Sequence, residues 1–190
     1  SNMKKILPLL LSLFAFVACD NVSNNNADNN NADSVSIDTE AVTAECTTTV
    51  EDPTTIVLSD GTWSIVLIYK PNSKYSAKQD CTIEAKEGIY TTTCFKQTDT
   101  FDLSDSSDEE IEELKNKTSE ELGYPSDASV IWNNDKTVTI SLIATKEQLR
   151  NMGQNFNFSN FSGKDVKTNV DNTKYVVALS DTYIFYFSKN

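Results

Sequence analysis

GTWSIVLIYKP, Gly61 to Pro71, decides how this chain folds. Its β-branched and aromatic residues mark a strand. Ile65, Leu67 and Tyr69 fall on one face, Val66 and Ile68 on the other. A strand apolar on both faces belongs in the middle of a sheet, with cover on each side. Next along the chain is CTIEAKEGIYTTTC, residues 81–94, with Glu87-Gly88 at its midpoint. Such a pair suits a two-residue hairpin turn. Counting outward from the turn sets Cys81 opposite Cys94 at a non-hydrogen-bonded position, where Cα atoms approach to about 4.5 Å. The usual disulfide range begins near that separation. The expected bridge is therefore Cys81–Cys94, with Cys46 free. Pairing of Cys46 with one of the two remains the alternative, because three cysteines permit three single bridges.

Outward from this core the pattern continues. SSDEEIEELKNKTSEELGYP, from about Ser107, predicts a helix. Ser107 with Glu110 forms a capping box, acids fill the first turn, and Gly123 and Pro125 end it. Ile111, Leu114 and Leu122 can share its apolar face. Residues 128–144 predict a second hairpin turning at Asn133-Asn134-Asp135, and Thr145 with Gln148 caps a second helix. Residues 156–163 read as an aromatic loop, and residues 174–189 as two strands around Ser180-Asp181. Runs of strands separated by two helices predict an α+β domain, residues 46–190, in which a mainly antiparallel sheet carries two packed helices. That length suffices for one domain with a core of its own. Asp60-Gly61-Thr62-Trp63 resembles the G-x-W opening of lipocalin-like barrels. That resemblance implies, as the alternative, a barrel with added helices and a small apolar ligand in its mouth.

The other end of the chain gives an address. Ser1 and Asn2 precede Met3 and read as a tag remnant. Lys4 and Lys5 then precede a short apolar run that ends at Ala18 and Cys19. Cations followed by a short apolar stretch are the layout of a secretory signal peptide. The run is shorter than the roughly 20 residues a membrane helix needs. Val17-Ala18-Cys19 resembles the type II signal of bacterial lipoproteins. Phe16 stands where that family prefers Leu, a looser signal of the kind spirochaetes use. The resemblance implies cleavage before Cys19 (residues 1–18 being removed), acylation of Cys19, export, and anchoring to a bacterial membrane on the periplasmic face or the cell surface. Two or more acyl chains give stable anchoring where one does not. NNNADNNNAD, residues 24–33, is one pentapeptide written twice. It has too little apolar surface to offset its chain entropy, so residues 19–45 read as a disordered tether. Such a tether spans on the order of 25–30 Å.

Charge and composition exclude several functions. The chain carries 16 basic and 28 acidic residues. Loss of Lys4 and Lys5 leaves 14 against 28, or −14. That balance opposes binding to nucleic acid, which depends on cations at phosphates. There is no histidine, which removes the commonest general base, Ser-His-Asp and Cys-His catalysis, and most zinc sites. No phosphate-cradling glycine motif appears, and no cofactor is expected. Asp102, Asp105 and Asp108 recur every three residues as oxygen ligands a calcium ion would accept, but their spacing does not match an EF-hand. An acidic helix start facing water is the plainer reading. Tyr183, Phe185 and Phe187 alternate as in a buried strand. Phe156, Phe158 and Phe161 sit in a loop, where exposed aromatics mark a ligand or protein contact; anchoring of the loop into the core is the plainer reading. Arg150, the only arginine, lies just upstream. These features predict a lipid-anchored envelope protein whose domain is a non-catalytic module binding a protein or a small molecule. A groove is expected near Phe156, Phe158 and Phe161. The alternatives are an envelope hydrolase working through carboxylates or calcium, the lipocalin-like ligand binder, and an architectural lipoprotein.

Overall fold

A computed structural model describes residues 37–190. Cys19, the signal segment and residues 20–36 of the expected tether lie outside the described residues. The structure opens with α1, Thr39–Glu45, capped by the Asp38 side chain, which accepts from the Ala41 N–H. The expected tether ran to residue 45. Its last part is instead ordered, because Ile37 and Val42 find a surface to cover.

The strands are β1 (Thr48–Thr49), β2 (Gly61–Asn72), β3 (Tyr75–Lys86), β4 (Ile89–Asp102), β5 (Ser129–Trp132), β6 (Thr137–Ile143), β7 (Gln154–Phe156), β8 (Asp165–Thr168), β9 (Lys174–Ala178) and β10 (Tyr183–Lys189). They form one antiparallel ten-stranded sheet in the order β1-β8-β9-β10-β2-β3-β4-β6-β5, with β7 paired to β4. Strand β2 is central, as its two apolar faces require. A lipocalin-like barrel is overturned. Closure needs the end strands to pair, and here β1 and β5 are separate edges of an open sheet. The fold is mainly antiparallel β with few helices, consistent with the α+β class.

Two further helices follow the expected caps but are shorter than the sequence pattern implies. Helix α2 spans Asp108–Lys115 and α3 spans Lys146–Arg150. Ser107 accepts from the Glu110 N–H, and Thr145 with Gln148 forms a complete capping box. The helix expected to reach residue 122 stops at Lys115 because Thr118 begins a turn of its own. The Thr118 hydroxyl accepts from the Glu121 N–H, and the Glu121 carboxylate accepts from the Thr118 N–H. Thr118 and Glu121 thus offer the backbone a competing local solution.

The long hairpin β3–β4 turns at Glu87-Gly88, both with positive φ (50° and 79°). Cys81 and Cys94 pair across it and form the disulfide. Their Cα atoms lie 3.9 Å apart. Cys46 is free and buried, and burial pushes its thiol pKa up. Asp80 pairs with Lys96 while Cys81 pairs with Cys94, which makes Phe95 a bulge residue. The extra residue flips the parity of β4. Tyr90 and Thr92 are buried on one side of the bulge, and Gln97, Asp99 and Phe101 on the other. Strand β3 keeps its parity, so every odd residue from Tyr75 to Ala85 is buried on one face.

That face carries two apolar clusters. One gathers Trp63, Ile65, Leu67, Ile83, Val177 and Phe187 beneath Phe158 and Phe161. The other gathers Tyr75, Ala77, Phe101, Val138 and Ile140 with Leu122 and Tyr124. On the reverse face of β2 and β10, Val66 and Tyr186 pack with Ile37, Val42 and Cys46.

Candidate functional site

The pairing registers line up one transverse row on the inner face of five strands. Phe185 pairs with Leu67, Leu67 with Gln79, Gln79 with Gln97, and Gln97 with Leu142. Both cavities of interest draw on this row. The apolar end, from β10 and β2, floors the first; the polar middle, from β3 and β4, contributes to the second.

The first cavity is about 380 Å³. Ile65, Leu67 and Phe185 come from the sheet, Phe156 and Phe161 from the segment crossing it, and Leu179 from the turn before β10. Sequence dictates this crossing. Asn157 caps the short 3₁₀ turn Phe158–Phe161 by accepting from the Ser159 N–H, so Phe158 and Phe161 both face the sheet. Phe158 is buried in a ring cluster, 5.0 Å from Phe156, 5.7 Å from Phe187 and 5.7 Å from Tyr90. Of the three loop phenylalanines, two border the cavity and Phe158 anchors the loop. The Thr92 hydroxyl, on a buried residue of this cavity, has no hydrogen-bond partner among the described residues. Lys164 stands exposed at its border, and its ammonium makes no ion pair among the described residues.

The second cavity is about 520 Å³, within the range of small-molecule sites. Phe95, Leu142 and Met152 supply apolar wall, Gln79 and Gln97 supply carboxamides, and Cys94 borders it. Gln79, Gln97 and the adjacent Asp99 are 1%, 2% and 1% exposed. Tyr124 donates its O–H to Asp99 Oδ2 at 2.7 Å, and Gln97 Nε2 donates to Asp99 Oδ1 at 3.1 Å. Gln79 Nε2 approaches Gln97 Oε1 at 3.5 Å, and Gln79 Oε1 has no partner among the described residues. Burial pushes the Asp99 carboxyl pKa up, against the downward pull of the bonds from Tyr124 and Gln97.

The remaining sequence candidates lie elsewhere. Arg150 is exposed at the end of α3 and is not among the residues bordering either cavity. Asp102 and Asp105 both face Lys74, at 3.7 and 3.0 Å, and Asp108 faces Lys136 at 3.1 Å. Hydrogen bonds from Ser104, helped by Lys74, hold the Asp102 carboxyl below its usual pKa. Each of the three acids thus has a lysine partner, and no group of three or more metal-ligating side chains occurs among the described residues. Sequence reasoning missed Gln79, Gln97, Asp99 and Tyr124. One signal was available: Gln79 interrupts an otherwise apolar series of alternate residues on β3, where a polar side chain should not lie without a reason.

Both cavities offer apolar wall and a few hydrogen-bonding groups. Compared with protein-family models, with curated proteins and with solved structures, the chain matches none.

Proposed function

We propose that this protein is an exported lipoprotein, held to a bacterial membrane by acylated Cys19, whose folded domain binds a small, largely apolar molecule without transforming it. The Cys19 signal motif supports the anchor. The binding reading is carried by the first cavity, an apolar chamber under Phe156 and Phe161 of a size that suits a small ligand. Thr92, Asn160, Ser180 and Tyr183 add polar groups to its lining, and Lys164 gives its border a positive charge. This combination favours an amphipathic ligand with an anionic end, such as a medium-chain carboxylate. A hydrolase built on Asp102, Asp105 and Asp108 lacks support, since all three face lysines.

Decanoate serves as the probe. At a hundredfold excess over Kd, a ligand bound only by the folded state adds about 2.7 kcal/mol, or about 5–10 °C in Tm for a domain of this size. Leu179→Trp, which fills the chamber from a half-buried position, is expected to abolish that shift while Cys81–Cys94 and the circular dichroism spectrum remain. A Tm that decanoate leaves unchanged, or a shift that survives Leu179→Trp, overturns the assignment. The anchor is tested separately by labelled palmitate in cells, which is expected to label the wild type and not Cys19→Ser.

A further inference from the structure

A buried glutamine amide can be turned either way, so an isolated pair does not reveal what it offers a ligand. Here a carboxylate sets the direction. Asp99 takes the Tyr124 O–H on one oxygen and the Gln97 amine end on the other. Gln97 therefore turns Oε1 away from Asp99, toward the Gln79 amine end. Gln79 in turn presents Oε1, and this is where the chain of donors ends without a partner. The residue bearing that oxygen is almost wholly buried and lines the second cavity beside apolar Phe95, Leu142 and Met152. The amides in the series are oriented so that the acceptor left over belongs to Gln79, a residue that lines the cavity. An orphan acceptor of this kind is costly when nothing donates to it.

We infer that the second cavity is a separate binding site for a neutral, largely apolar small molecule bearing one hydroxyl or amide N–H, which it donates to Gln79 Oε1. A ligand carboxylate is disfavoured there, because it would set one acceptor against another. The site thus differs in chemistry from the chamber under Phe156, and the two stand or fall separately.

The test compares 2-naphthol with 2-methoxynaphthalene, which differ by one donor, by calorimetric titration of the whole folded chain. The wild type is expected to bind the naphthol about tenfold more tightly, the equivalent of about 1.4 kcal/mol. Gln79→Met keeps the volume and removes the acceptor. It is expected to bind both compounds equally, whereas Leu179→Trp keeps the tenfold preference. Independently of any variant, the naphthol is expected to move the ¹³C shift of the Gln79 side-chain carbonyl, and the ether is not. Equal binding of both compounds by the wild type, a preference that persists in Gln79→Met, or no binding of either (a water alone serving the acceptor) each overturns the proposal.

Discussion

At the scale of single residues, Asp99 is the most consequential group in the domain. It lies against the second apolar cluster, paired with Ala77 and Ile140 and bonded to Tyr124, and its environment opposes its charge. Burial raises its pKa, although two hydrogen bonds favour the ionised form. A carboxyl whose folded value exceeds its unfolded one, about 3.9, contributes stability below the unfolded value. That contribution is lost as pH rises through the folded value. Tyr124 and Tyr75, the titratable groups facing it, are themselves pushed up by burial and stay neutral in this window. Asp99→Asn keeps an oxygen for Gln97 and does not titrate. Its stability relative to wild type is therefore expected to improve as pH climbs from about 4 to about 8, read by urea unfolding at each pH. A difference that is flat with pH would show that Asp99 titrates as an ordinary carboxyl. Such residues were poorly legible in sequence. Asp99 is one acid among 28, and only the parity flip at Phe95 turns it inward.

At the scale of elements, local chemistry was readable where it is self-contained. The Glu87-Gly88 turn, the Cys81–Cys94 pairing and the caps at Ser107 and Thr145 all follow from residues close in sequence. Glu87 nevertheless holds a left-handed conformation that suits Asn better. Glu87→Asn is expected to stabilise the domain by about 0.5–1 kcal/mol, measured as a higher urea midpoint at unchanged slope. The Glu87 N–H that donates to Asp60 is backbone and survives the change. Two element-level expectations gave way for physical reasons. The first long helix is cut short by the competing Thr118–Glu121 turn. The straight register of the hairpin breaks at Phe95, because one extra residue lets β4 serve β7 before the bulge and β6 after it.

At the scale of the whole molecule, the sheet must be covered on both faces, and the cover comes from segments distant in sequence. Helix α1 illustrates this. Residues 37–45 look like the end of a polar tether, yet Ile37 and Val42 close the reverse face over Val66 and Tyr186. The ion pair between Glu45 and Lys174 adds a link from α1 to β9. A chain starting at Cys46 is expected to be less stable than the full chain by on the order of 3–5 kcal/mol, from two lost apolar side chains. Denaturant unfolding of the two measures it, and equal midpoints would return residues 37–45 to the tether. The sequence by itself determined the central strand and the hairpin, favoured the Cys81–Cys94 bridge and a mainly antiparallel α+β class, and pointed to the 156–161 aromatics as a place to look for a groove. Only the tertiary structure decided that the sheet stays open. It also decided that Phe158 serves the core while Phe156 and Phe161 line a chamber, and that Gln79, Gln97, Asp99 and Tyr124 meet. Periodicity and capping act over a few residues and leave their mark in the local sequence. Register between distant strands, the parity shift of a bulge and the cavities left between covering segments depend on how the whole surface packs.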